Sequence, residues 1–298
     1  MVDLEGRTAI VTGGGAGIGR SEALALARAG AHVVVNDVAS DGTGQRPAAR
    51  VAEEIRGAGG SAEANFDDVS DWYGAQRLIA QAIDHDGELD VLVCNAGIVR
   101  DRTLVNMSAD EWDAVVKVHL GGHFGPMHFA AAHWRARSKA AGAPVYGRII
   151  ATSSEAGLFG HDGQINYSAA KAGIAAMAVV AGRELDRYGV TANAICPRAR
   201  TGMTAGVVEG MAARPGEVDN WDPDAIPPFV TYLAGPESAD INGQVFVVYG
   251  ATVKRMQMWS PMAEIVSDQP WTDHELARRV PELGKGAPMT NRPFEEYQ

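Results

Sequence analysis

Tyr167-Ser168-Ala169-Ala170-Lys171 sets a phenol and an ammonium four residues apart in an alanine-rich stretch. Positions four apart share one face of a helix, so the two groups can point into one cleft. A free phenol titrates near pH ~10 and is a poor base at neutral pH. A nearby cation favours the phenolate, so Lys171 is expected to lower the Tyr167 pKa. The pair then makes a proton donor or acceptor for an alcohol/ketone couple. The pattern is short, and it equally describes an exposed tyrosine beside a solvated lysine. Other parts of the chain must supply the partners this chemistry needs.

The first of these lies near the start. Residues 8–11 form a short apolar run of strand type, and residues 21–29 are rich in Ala and Leu and read as helix. Between them runs Thr12-Gly13-Gly14-Gly15-Ala16-Gly17-Ile18-Gly19. Strand, glycine turn and helix in this order form the context of a dinucleotide site. Some glycines permit positive φ, and others let backbone approach a pyrophosphate without a Cβ in the way. The helix start then offers free N–H groups and a positive dipole to the phosphates. A second strand ends at Asp37. A carboxylate there accepts hydrogen bonds from the adenosine ribose and repels a 2′-phosphate. Ala16 brings no cation to hold such a phosphate. Both features favour NAD over NADP.

The elements that must position these groups follow in alternation. A polar loop at 38–47 precedes a helix at 48–56 and a third strand at 61–66. Asp68 follows that strand, where a carboxylate can meet an adenine amino group, and Asp71 suits the N-cap of the next helix. Residues 89–94 are almost continuously apolar, as in a parallel strand buried on both faces. They end in Asn95-Ala96-Gly97, which suits either a turn passing close to a cofactor or a purely structural turn. Ser108 caps a helix that runs on towards Trp134. A fifth strand, Gly147–Thr152, delivers Ser153 and Ser154 at its carboxyl end, the side on which open parallel sheets bind ligands. A sixth strand at 190–195 leads into Cys196-Pro197-Arg198, a helix spans 225–234, and a last strand spans 242–249. The expected fold is α/β: a single Rossmann-type doubly wound domain with a parallel sheet of about seven strands. Residues 1–250 form the catalytic domain. Residues 251–298 form an extension that packs on the same domain or on a neighbouring subunit.

Composition agrees with a globular chain. Of 298 residues, 46% are hydrophobic and 21% charged, and the formal net charge is −11. That charge disfavours nucleic acid and anionic membranes as partners. No run approaches the ~18 apolar residues that span a bilayer. The two cysteines, Cys94 and Cys196, imply no disulfide framework and suit a reducing compartment. The start of the chain lacks a basic and apolar leader, so a cytoplasmic location is expected. We expect no metal.

Taken together, the glycine loop, Asn95-Ala96-Gly97, Ser154 and Tyr167-x-x-x-Lys171 resemble the short-chain dehydrogenase/reductase family in order and spacing, over roughly residues 5–250. The resemblance implies that Tyr167 is the general acid/base, that Lys171 lowers its pKa and holds the nicotinamide ribose, and that Ser154 positions the substrate oxygen. It places the cofactor, NAD, against Gly13, Gly17, Ile18, Gly19, Asp37, Asp68, Val69, Asn95, Ala96, Gly97, Tyr167, Lys171, Pro197 and Thr201. Residues 51–60, Ala96 to Arg102, Val118-His119-Leu120 and Gly163 to Tyr167 resemble the dehydrogenase domain of peroxisomal multifunctional enzyme type 2. That branch consists of NAD-dependent (3R)-hydroxyacyl-CoA dehydrogenases, also described as type 4 17β-hydroxysteroid dehydrogenases. A 3-hydroxyacyl-CoA or a steroid alcohol is therefore the implied substrate, and a homodimer or homotetramer the implied assembly.

Two positions depart from the family. His119 stands where an asparagine is usual, and it is expected to pack within its helix. Arg198 stands where glycine is usual, near the place of the nicotinamide amide, and the sequence offers no reason for it. Arg100, Arg102, Arg198, Arg200, Lys254 and Arg255 are candidate contacts for CoA phosphates, or solvated charges. Residues 198–222 read as a substrate lid, in which Thr201 and Thr204 can touch the cofactor. Met256, Met258, Trp259, Met262 and Ile265 form an apolar group in the extension. Competing readings are an NADPH-dependent 3-oxoacyl-carrier-protein reductase, which Asp37 and Ala16 oppose, and a catalytically silent NAD-binding regulator, which the intact Ser154, Tyr167 and Lys171 oppose.

Overall fold

The fold is taken from a computed structural model, which describes residues 2–40, 42, 44, 46–201, 216–257 and 259–284. The chain runs β1 (Thr8–Thr12), α1 (Gly17–Arg28), β2 (His32–Asn36), α2 (Pro47–Gly57), β3 (Ser61–Asn65), α3 (Trp72–Asp86) and β4 (Val91–Cys94). It continues through α4 (Ala109–Val116), α5 (Gly122–Ala141), β5 (Gly147–Thr152), α6 (Glu155–Phe159), α7 (Ile165–Leu185) and β6 (Val190–Pro197). The last elements are α8 (Pro227–Ala234), β7 (Val245–Tyr249), β8 (Thr252–Met256) and α9 (Asp273–Arg279).

The strands lie in the order β3-β2-β1-β4-β5-β6-β7-β8. The first seven are parallel, as expected, and β4, Val-Leu-Val-Cys, is apolar and buried along its whole length. The eighth is a correction. The chain does not leave the sheet after Tyr249. Gly250, at φ +46°, turns it back, and β8 pairs antiparallel with β7. A division at residue 250 therefore cuts through a hairpin. Of the apolar residues expected to group beyond it, Met256 packs partly against the core, Ile265 is half-buried, and Trp259 and Met262 are exposed. Met258, Thr204 and residues 288–298 lie outside the described residues.

Helices cover both faces of the sheet. Leu26, Val51, Val230 and Leu233 of α1, α2 and α8 pack on Val11, Val33, Ile150 and Ile195. Leu78, Ile79, Met127 and Trp134 of α3 and α5 pack on Ile10, Leu92 and Ile149 of the other face. Local chemistry sets the helix ends. The Asp71 carboxylate accepts from the Gly74 N–H at the start of α3, and Gly87 ends it at φ +84°. Ser108 and Glu111 form a reciprocal capping box at α4. The expected single helix from Ser108 to Trp134 is broken between α4 and α5 by one π-helical turn, Lys117–Gly121, which carries His119. The segment Ile165–Tyr188, α7 and the turn after it, is long and apolar enough to cross a membrane by length and composition alone. Here its face of Ala170, Ile174, Ala175 and Ala178 is buried against β5 to β7.

Order reverses between β1 and β4, the point at which open α/β sheets bind ligands beyond their strand ends. The glycine turn, Asn95, Ser154 and Pro197 are the residues at or just beyond the carboxyl ends of β1, β4, β5 and β6.

Candidate active site

Two connected hollows occupy this edge. The first is a cleft of about 500 Å³ lined by Gly13, Ala16, Gly17, Ile18, Asp37, Asp68, Val69, Asn95, Ala96, Gly97 and Thr201, with Asn36, Val38, Ala39, Ile98 and Val118. The second, of about 180 Å³, holds Ser154, Tyr167, Lys171, Pro197 and Arg198. Ile18, Asn95, Gly97 and Thr201 line both. Except for Gly19, every expected site residue thus lies along one continuous groove.

Gly19 acts from below. A Cβ on it would stand 2.5 Å from the Asn95 amide nitrogen and collide with the Gly13 carbonyl oxygen. Its bareness lets the turn close down on β4. Asn95 is part of the same closure: its backbone N–H donates to Thr12 Oγ1 at 2.9 Å, and its amide donates to the Thr12 carbonyl at 3.1 Å. The structural and cofactor readings of Asn95 therefore both describe one residue, which ties the turn and borders the cleft.

The groove fits a dinucleotide. Gly17 and Ile18 begin α1 in the middle of the cleft, and Ala16, the N-cap, supplies no side-chain acceptor to their N–H groups. At the far end, the Asp37 carboxylate accepts from Gly15 N–H at 3.1 Å and from Ala39 N–H at 2.9 Å, which fixes its place on the rim. The nearby Arg46 is laid over the Phe66 ring, 4.8 Å from its centroid. Asp68 borders this end, its carboxylate accepting from the Ser70 N–H and hydroxyl.

Ser154 and Tyr167 line the second hollow together. Ser154 is the N-cap of α6, and its Oγ accepts from Ala156 N–H at 3.2 Å. Lys171 lines the same hollow. Its ammonium is buried and donates to the Thr152 carbonyl at 2.6 Å, 5.4 Å from the centre of the Tyr167 ring. Burial pushes the Lys171 pKa down to about 7 and the Tyr167 pKa up to about 12, the Ser154 hydroxyl pulling Tyr167 the other way. While the lysine is charged its field favours the phenolate, so the two groups share one proton balance.

His119 does pack, but in the site itself. Its Nε2 lies 2.8 Å from the Ile98 carbonyl, and its ring meets that of Tyr167 edge-on with centroids 5.2 Å apart. Burial drives its pKa down to about 3, so it is a neutral imidazole at working pH. Arg198 finds its explanation as well. It is 4% exposed and forms a bidentate pair with Glu155, itself 5% exposed. Other candidate phosphate contacts are engaged by carboxylates: Arg102 with Glu111 and Arg200 with Asp219. Lys254 lies over the Tyr249 ring. Cys94 and Cys196 are buried free thiols, both pushed up to about 12 by burial.

Residues that the sequence did not single out complete the hollow: Val99, Asp101, His161, Gln164 and Trp221. Gln164 lies three residues before Tyr167 and donates to the Asp101 carboxylate at 2.9 Å, a pairing across 63 residues with no local signal. Trp221, far along the chain from Tyr167, also lines the hollow.

Comparison with known proteins agrees with this geometry. The family described as short chain dehydrogenase matches residues 7–212. The chain is 51% identical to hydroxyacyl-CoA dehydrogenase ChsB1 of Mycobacterium tuberculosis, over 84% of this chain and 80% of that one. It is 42% identical to peroxisomal multifunctional enzyme type 2 of Drosophila melanogaster over 80% of this chain, but only 38% of that longer protein. Among solved structures, a short chain dehydrogenase from Mycobacterium avium is 47% identical, with a TM-score of 0.85 over 94% of this chain and 95% of that one. With a family model matched over most of the chain and a relative at 51% identity, the chain belongs to the short-chain dehydrogenase family of oxidoreductases.

Proposed function

We propose that the protein is an NAD-dependent dehydrogenase that interconverts a secondary alcohol and a ketone, with a 3-hydroxyacyl-CoA or a steroid alcohol as substrate. The observation that carries the reaction type is the meeting of Ser154, Tyr167 and Lys171 in one hollow that adjoins the dinucleotide groove. When bound, the nicotinamide supplies the hydride acceptor. This chain's residues do the remainder. Ser154 holds the substrate oxygen, and Tyr167 takes the hydroxyl proton during oxidation. The buried Lys171 beside them sets how readily that proton moves. The low-dielectric walls of the hollow strengthen each of these interactions.

Asp37 supports NAD. Its carboxylate is held by two backbone N–H groups at the adenosine end, where a 2′-phosphate would meet like charge. The relatives support the acyl-CoA class, since the Mycobacterium tuberculosis protein is named a hydroxyacyl-CoA dehydrogenase. We further read the protein as cytoplasmic and as a homo-oligomer, with the segment beyond β8 meeting a neighbouring subunit. Light scattering tests the assembly.

The deciding experiment follows formation of reduced nicotinamide with 3-hydroxyacyl-CoA esters, hydroxysteroids and simple secondary alcohols, each with NAD and with NADP. Turnover of one class with NAD supports the reading. Equal rates with NADP, or a Tyr167→Phe enzyme with near-normal turnover, would refute it.

A further inference from the structure

We propose that the Arg198–Glu155 pair is a positioning device for Ser154, built at a place where a small residue would leave the serine free to turn. Glu155 directly follows Ser154 and is the first residue of α6. Its carboxylate is gripped from two sides by Arg198, whose Nη2 donates to Oε1 at 2.7 Å while Nε donates to Oε2. Arg198 is in turn fixed to the sheet. Its backbone N–H donates to the Val248 carbonyl at 3.0 Å, and its guanidinium lies 4.1 Å from the centre of the Tyr249 ring. The start of α6 is thus anchored through one side chain to β7. The serine it carries caps that helix and lines the same hollow as Tyr167.

The grip is specific in geometry. A bidentate guanidinium fixes both the distance and the plane of a carboxylate, which a single point charge does not. α6 is one short turn and cannot hold its own orientation by length. Ser154 Oγ accepts from the Ala156 N–H within that turn, so a small rotation of the turn moves the hydroxyl relative to Tyr167 across the hollow. A buried ion pair brings little net stability compared with apolar side chains of similar volume, so its retention points to orientation as its use here.

The test separates positioning from stability and from direct contact with ligand. Glu155→Met with Arg198→Met replaces the pair by apolar groups of similar length, in wild-type and Ser154→Ala backgrounds. Tm, kcat, and the Cζ resonance of isotope-labelled Tyr167, assigned by its loss in Tyr167→Phe, are read in all four proteins. The expected result is a Tm that is kept, with kcat down about tenfold or more in the wild-type background but changed less than about twofold once Ser154 is gone. The Tyr167 resonance should move as it does in Ser154→Ala, and no further when the changes are combined. Equal kcat losses in the two backgrounds, or an unmoved Tyr167 resonance, would overturn the proposal.

Arg198→Lys, which keeps the charge and loses the fork, guards against misfolding of the double variant. It should show the same shift in smaller measure, and an unchanged resonance there also counts against the idea. The proposal rests on Ser154 and Tyr167 serving alcohol oxidation. The resonance needs no substrate, so a failure of that reading shows as silent wild-type turnover with the Ser154–Tyr167 coupling still present.

Discussion

Lys171→Met keeps the length of the side chain and removes its charge. The ammonium lies 5.4 Å from the centre of the Tyr167 ring. At that separation and an effective dielectric of about 20, a unit charge is worth about 3 kcal/mol, or roughly 2 pKa units. A charged lysine would thus bring the phenol from about 12 to roughly 10. Since the ammonium itself titrates at about 7, the two titrate as one unit. Below neutrality the lysine is charged, and the phenolate that oxidation needs is favoured about 100-fold over the variant. Above about 7 the wild-type pair has lost one proton, and the small fraction carrying that loss on the phenol becomes constant. The wild-type kcat should therefore level off, while that of Lys171→Met keeps rising tenfold per pH unit. The deficit of about 100-fold on the acid side closes roughly two units above neutrality. The assay is kcat for alcohol oxidation against pH, at saturating alcohol and dinucleotide. A deficit that stays constant across pH would show that Lys171 works only by holding other groups, and the electrostatic argument would fall.

Glu22 of α1 is fully buried and neither carboxylate oxygen has a hydrogen-bond partner among the described residues; burial pushes its pKa up to about 8. The folded chain then binds a proton that the unfolded chain releases above its ordinary value, so stability falls as pH rises from about 4.5 to about 8. Glu22→Gln should raise Tm at pH 8 by an amount reflecting a few kcal/mol, about 3 in order of magnitude, and change it little near pH 4.5, as thermal melts would show. Asp37→Ala removes the carboxylate from the adenosine end; KM for NAD should rise about tenfold and the ratio of NADP to NAD activity should increase, checked by initial rates with both dinucleotides. Gly19→Ala drives a Cβ against Asn95 and the Gly13 carbonyl, so dinucleotide binding measured by calorimetry should be lost and stability should fall by about 1–3 kcal/mol.

The site was legible in part because the family's chemistry is written in short local patterns. Tyr167 and Lys171 share a helix, the glycine turn joins a strand to a helix, and Ser154 and Asp37 each close a strand. Such features need only periodicity and the succession of strands along the chain, which the apolar runs supplied. What escaped was non-local. The Gln164–Asp101 contact and the place of Trp221 in the hollow depend on segments brought together by the sheet. β8 is not legible as a buried strand because Thr252–Met256 carries two charges and alternates in exposure, as an antiparallel edge strand does.

The sequence by itself determined the doubly wound parallel fold and singled out Ser154, Tyr167, Lys171 and Asp37, because each stands in a local pattern; the order of the strands came from the structure. Only the tertiary structure decided the electrostatics. It set the charge of Lys171, through its burial and its bond to the Thr152 carbonyl. It made His119 a neutral ring against Tyr167. It turned Arg198 from an unexplained cation into the partner of Glu155. The physical reason is common to all three: a residue's charge state depends on the solvent and partners around it, and those are set by chain segments that are distant in sequence.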